Sequence, residues 1–84
     1  MRQPPQKLLH QAVNAVAAVM QSEHLPPNRQ ENLRLKAKTL TLKIEEKMGA
    51  RDPEKKLIVW EELNRHAWRQ NERKRLHNLG IRGY

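Results

Sequence analysis

The chain of 84 residues carries 17 Lys and Arg against 9 Asp and Glu, a net charge of +8, and it contains no cysteine. The lack of cysteine excludes a disulfide framework and a thiolate metal site, and it favours a reducing, cytoplasmic setting. A domain of this length buries only about 60 to 65% of the surface that its unfolded chain exposes. We therefore expect one small domain over residues 1–84 with a thin core.

Proline and glycine divide the chain into helical segments, and no alternating strand pattern competes with them. The first helix is predicted over about residues 5–24, because apolar side chains recur at intervals of three and four until Pro26 and Pro27. Its apolar positions are Leu8, Leu9, Ala12, Val13, Val16, Val19 and Met20. The pattern is typical of a helix with one buried face.

The second helix is predicted over residues 29–48, with Asn28 as its N-cap and Gly49 just past its end. Its apolar stripe consists of Leu33, Ala37, Leu40, Ile44 and Met48. The third helix is predicted over residues 53–79, because Asp52 suits an N-cap, Pro53 suits the first helical position and Gly80 suits the end. Residues 80–84 are then a short C-terminal tail.

The third helix is the longest, at ~40 Å against ~30 Å for each of the others. Its apolar stripe is read as Leu57, Trp60, Leu63, Ala67 and Trp68, with both tryptophans in the core. Past Trp68 the same face carries Asn71 and Arg75, so the core contact is expected to end near Trp68. The sequence predicts an all-α, three-helix antiparallel bundle whose basic third helix protrudes at its C-terminal end.

A helix-turn-helix is the alternative architecture. Its recognition helix reads bases with its N-terminal residues. The third helix begins with Asp52 and Glu54 and continues with Glu61 and Glu62, and these acids repel DNA. The bundle is therefore preferred.

The stretch "RHAWRQNERKRLHN", residues 65–78, places like charges at helical neighbour positions. Spacing of four, as in Arg65, Arg69 and Arg73, slightly destabilises a helix, so the row favours an anionic partner. Guanidinium groups fit phosphate oxygens, and arrayed cations gain affinity from counterion release. The predicted nucleic-acid-binding residues are Arg65, Arg69, Arg73, Lys74, Arg75, His77 and Arg82, with Lys36 and Lys43 from a second basic row on helix two. Two questions stay open: whether this is only a solvated helix face without a partner, and whether the nucleic acid is DNA or RNA.

A second contact surface is suggested by helix one, which has no charged residue from Leu8 to Ser22. Uncharged polar and small side chains such as Asn14 and Ala18 suit a covered face. On helix two, Leu35 and Leu42 lie seven residues apart and away from the core stripe. These four residues are the predicted protein interface, for a homo-oligomer or for a protein partner. The alternative function is a helical adaptor or inhibitor that docks through this surface.

Catalytic and metal-binding patterns find little support. Glu62 and His66 are four residues apart, but they complete no HExxH or other zinc spacing, and no nucleophile with a nearby base or glycine-rich phosphate loop is visible. The run from Leu8 to Ser22 is too short and too polar to span a membrane, and its helical spacing argues against a signal peptide. The sequence thus predicts a non-enzymatic, basic accessory protein without cofactor or metal that binds nucleic acid through its C-terminal helix.

Overall fold

The computed structural model describes the backbone of residues 3–83 and the side chains of residues 3–77. Three α-helices account for nearly all of this part of the chain: α1 (Gln6–Met20), α2 (Pro27–Met48) and α3 (Pro53–Gly83). The described residues form no strand. The predicted all-α, three-helix bundle is confirmed.

The turn between α1 and α2 differs from the prediction at both ends. α1 ends at Met20 rather than near residue 24, and the Ser22 hydroxyl donates a hydrogen bond to the Val19 carbonyl at 2.7 Å. α2 begins at Pro27, so Pro26 rather than Asn28 is the N-cap, and no side chain caps the helix. Proline is suited to the first helical position because that position needs no N–H donor.

The connection between α2 and α3 agrees with the prediction. Gly49 has a φ of 71°, the left-handed conformation that glycine adopts most easily. The Ala50 N–H donates to the Glu45 carbonyl at 2.9 Å and the Gly49 N–H to the Glu46 carbonyl at 3.2 Å, which is a Schellman closure. α3 then begins at Pro53 as expected.

α3 is longer than predicted, because it continues through Gly80 to Gly83. A glycine inside a helix costs ~1 kcal/mol relative to alanine but does not break the helix as proline does. With 31 residues, α3 is ~46 Å long at 1.5 Å per residue, which matches the longest molecular dimension of 46 Å. The radius of gyration is 14.4 Å, against about 12 Å for a compact chain of this length. α3 therefore extends beyond the packed part of the bundle.

α1 and α2 are antiparallel, since Leu9 lies near Ile44 and Met48 at one end and Val16 lies near Ala37 at the other. α3 crosses α1 obliquely. On one side of α3, His66 lies beside the first half of α1, near Leu9. On another side of α3, Trp60 lies beside the second half of α1, near Val16. This crossing gives each flank of α3 a different part of α1 as its neighbour.

The core is built mainly from small side chains. Its buried members are Ala12, Val13, Ala15, Val16, Ala17, Ala37, Leu40, Ile44, Ala50, Val59, Leu63 and Ala67. Among the described residues, only Ile44 and Leu63 are large side chains with less than 2% of their surface exposed. The predicted stripe of α2 is confirmed, with Leu33 and Met48 half-buried at its ends. Alanine at the contacts lets the helix backbones approach closely.

The prediction that both tryptophans lie in the core is wrong. Trp60 is 45% exposed and Trp68 is 61% exposed. The buried stripe of α3 is instead Val59, Leu63 and Ala67, spaced by four residues. The prediction chose the largest apolar residues, but helices that meet at alanine and valine leave no room for an indole between them. The contact face of α3 is consequently rotated away from Trp60 and Trp68.

Candidate nucleic-acid interface

An open groove of about 900 Å³ lies between the first half of α1 and the second half of α3. We call it the cationic groove. It is lined by Gln6, Leu9, His10 and Val13 of α1 and by His66, Arg69, Gln70, Arg73, Lys74 and His77 of α3. The structure thus brings four of the predicted nucleic-acid-binding residues, Arg69, Arg73, Lys74 and His77, to one concave surface.

Helical periodicity explains why α3 presents these side chains together. Arg69, Arg73 and His77 are four residues apart, and side chains at this spacing lie above one another on a helix surface. They flank the buried stripe on the side that faces the first half of α1. The α1 wall of the groove has no Lys, Arg, Asp or Glu, so the permanent positive charge lies on the α3 wall alone.

The arginine side chains of α3 that the structure describes divide into two that pair with an acid and two that do not. Outside the groove, Arg65 forms an ion pair with Glu62 at 3.2 Å, and Arg75 forms one with Glu72. Among the side chains of residues 3–77, no carboxylate lies within 4.0 Å of the charged nitrogens of the three groove cations, Arg69, Arg73 and Lys74. Within this part of the chain, the cations without an acidic ion-pair partner on α3 therefore include all three that line the groove.

Two amide side chains attach α3 to α1 beside the groove. Gln70 Nε2 donates to Asn14 Oδ1 at 2.8 Å, and Asn71 Nδ2 donates to the Ala17 carbonyl at 3.2 Å. The contact between the helices therefore continues to Asn71, three residues past the predicted end at Trp68, and the exposed basic arm begins at Arg73. The predicted interface residue Asn14 is engaged within the chain, and Ala18 is half-buried.

Among the described residues, four of the predicted nucleic-acid-binding residues do not line the groove: Arg65 and Arg75, which are paired with acids, and Lys36 and Lys43. Lys36 and Lys43 are exposed on α2 and are not among its lining residues. The side chain of Arg82 lies outside the described residues. Conversely, the sequence interpretation missed His10, because its role depends on α1 packing beside α3, and no local pattern signals this.

In the sequence, His66 stands out only through its spacing of four residues from Glu62. The two side chains lie close together, with His66 Nε2 3.8 Å from Glu62 Oε1. His66 nevertheless also lines the cationic groove. His66 is half-buried and contributes one imidazole to the groove between α1 and α3.

A second concave surface, of about 430 Å³, lies where the second half of α1 meets α2 and α3. We call it the apolar cleft. Its apolar lining comes from Val16, Val19 and Met20 of α1, Ala37 and Leu42 of α2 and Trp60 of α3. Leu42, predicted as an interface residue, thus borders the cleft, whereas Leu35 is equally exposed but does not line it.

Within residues 3–83, no helix has the length and apolar character that crossing a membrane requires. The same part of the chain has no cluster of three or more acidic or histidine side chains arranged to hold a metal ion. Comparisons of the chain with protein-family models, with curated proteins and with solved structures found no match. The function must accordingly be argued from the two concave surfaces themselves.

Proposed function

We propose that this chain is a non-enzymatic, basic accessory protein that binds nucleic-acid phosphates through α3, in the cytoplasm, within a larger nucleoprotein assembly or as a homo-oligomer. The observation that carries the proposal is the convergence of Arg69, Arg73 and Lys74 on one groove, where no acidic side chain among residues 3–77 pairs with them. A solvated helix face ordinarily mixes acids and bases, as residues 53–63 of α3 do.

Phosphate is the ligand that matches these side chains. The planar guanidinium of arginine donates two parallel hydrogen bonds to phosphate oxygens, and lysine adds a point charge. Each phosphate contact releases counterions from the nucleic acid, so affinity falls steeply as salt rises. Cations that are already paired within the protein contribute less, because an acid beside them repels the phosphate. Groove cations should therefore dominate the affinity.

The paired arginines supply a matched control for testing this function. Arg69→Gln with Arg73→Gln removes two unpaired groove charges, and Arg65→Gln with Arg75→Gln removes two paired charges from the same helix. Glutamine is a good helix former, so both variants should keep their stability within ~1 kcal/mol. We expect the groove variant to lose affinity and to lower the slope of log affinity against log salt by up to ~1.8 on duplex DNA.

Fluorescence anisotropy titrations of labelled DNA and RNA at several salt concentrations would measure both quantities. The control variant should retain most of its affinity. Equal losses in the two variants would show that net charge rather than the groove determines binding. Unchanged binding in both, or no binding by the wild-type chain, would remove the basis of the proposal.

A helical adaptor that docks on another protein is the second candidate, and the apolar cleft favours it. Met20, Leu42 and Trp60 surround the cleft, and each is an exposed large apolar side chain. Clustered exposed apolar side chains are typical of protein-contact surfaces. Binding through this surface would be insensitive to salt, which separates it from phosphate binding.

A further inference from the structure

We infer that the cationic groove takes single-stranded nucleic acid in preference to a duplex, with phosphates on the α3 wall and bases against α1. This inference rests on the proposed function and specifies its ligand.

The floor of the groove is apolar. Val13 is buried and Leu9 is half-buried, and both line the groove beneath the charged wall. A phosphate gains nothing from such a floor, because burying a charge away from hydrogen-bond donors is costly. A nucleobase has flat apolar faces and fits there. The groove therefore offers sites for both parts of a nucleotide.

Three imidazoles add stacking surfaces around this floor, from His10, His66 and His77. Proteins bind single strands by combining a positively charged groove that follows the backbone with aromatic rings on which bases stack. Histidine rings and arginine guanidinium planes both serve as stacking partners for unpaired bases. The groove therefore combines rings on which bases can stack with cations that can bind the phosphates of a single strand.

The distribution of charge argues against a duplex in this groove. Permanent cations line only the α3 wall, and the α1 wall presents an amide, an imidazole and two aliphatic side chains. A duplex keeps its bases stacked inside and presents phosphates on its outer rims, so the α1 wall and the floor would remain unoccupied. A single strand can turn its phosphates to one wall and its bases to the other.

The test uses the full chain and three probes of equal length: a mixed-sequence single-stranded DNA, the corresponding duplex and an abasic single strand. Stacking changes affinity by ~5- to 150-fold per base, so the single strand should bind at least about 5-fold more tightly than the abasic strand. It should also bind more tightly than the duplex at the same salt concentration.

Substitution at His10 tests the position of the bases. This side chain is exposed, so His10→Ala should leave the fold intact, as circular dichroism and thermal melting can check. We expect His10→Ala to weaken single-strand binding by ~5-fold or more and to leave abasic-strand binding unchanged. His10→Phe should restore the affinity, because it keeps a ring without the imidazole nitrogens. His24→Ala, an exposed histidine outside the groove, should behave as wild type.

The outcomes separate this inference from the proposed function. Equal affinity for the three probes, or an unaffected His10→Ala variant, would overturn the single-strand inference. Salt-dependent binding that is lost with Arg69 and Arg73 would still support the proposed function in that case. Absence of binding to every probe would overturn both.

Discussion

The two flanks of α3 have opposite chemistry although only a narrow buried stripe separates them. On one flank, Arg69 and Arg73 face the first half of α1 across the cationic groove. On the other, Trp60 faces the second half of α1 and Leu42 of α2 across the apolar cleft. The comparison shows that one helix can carry two independent contact surfaces when its buried face is narrow.

The oblique crossing of α3 and α1 makes this division possible. If α3 ran alongside α1, both flanks of α3 would lie beside the whole length of α1. Because α3 crosses α1, His10 reaches the basic flank and Met20 reaches the apolar flank. The core residues Leu63 and Ala67 lie between the two flanks on α3. Both surfaces thus depend on one helix crossing.

The largest expected effect on stability comes from a substitution in the core where α3 crosses α1. Leu63 is 1% exposed, so Leu63→Ala should lower the free energy of unfolding by ~2 to 5 kcal/mol and remove both surfaces together. Urea unfolding followed by circular dichroism would measure this. Leu76→Ala is the control, since Leu76 is an exposed leucine of the same helix and its loss should cost within ~0.5 kcal/mol. Equal costs for the two variants would contradict the packing described above.

A smaller loss of stability is expected from Trp60→Ala, because this substitution alters only the side of α3 that borders the apolar cleft. Because Trp60 is about half exposed, its removal should cost ~1 kcal/mol, well below the 3 to 5 kcal/mol typical of a buried tryptophan. Affinity for nucleic acid should stay close to wild type. Thermal melting and anisotropy titration of the same preparation would check both expectations. Loss of nucleic-acid binding would indicate that bases stack on Trp60, and the two flanks would then share one ligand.

The smallest change in stability is expected from Leu35→Lys combined with Leu42→Lys. Both side chains are exposed, so the helical signal should be retained, with a stability change within ~1 kcal/mol. Light scattering should give the mass of a monomer, because two added charges oppose burial of this face in an oligomer. An oligomer of undiminished mass would exclude this face as the self-association surface. Unfolding of the variant would place these leucines in the core.

Local chemistry made much of the fold predictable. Gly49 and Pro53 mark helix boundaries through their own backbone preferences, and those boundaries were predicted correctly. The stripe of α2 around Ile44 was also predicted, because apolar residues there recur without competing large side chains. In α3, Trp60 and Val59 are adjacent apolar residues on different sides of the helix, and the prediction that Trp60 is buried was wrong. The size of a side chain does not decide which side of α3 packs against the alanine-rich face of α1.

The sequence by itself determined that the chain forms three helices and that the end of the third carries a row of cations. These properties arise from interactions within a few residues, where proline, glycine and helical periodicity act directly. Only the tertiary structure decided that Arg69, Arg73 and Lys74 share a groove with His10. That arrangement depends on the angle at which α3 crosses α1, which is set by contacts such as Asn14 with Gln70, 56 residues apart in the chain. The packing of small core side chains contributes to the same angle, and local sequence patterns do not encode it.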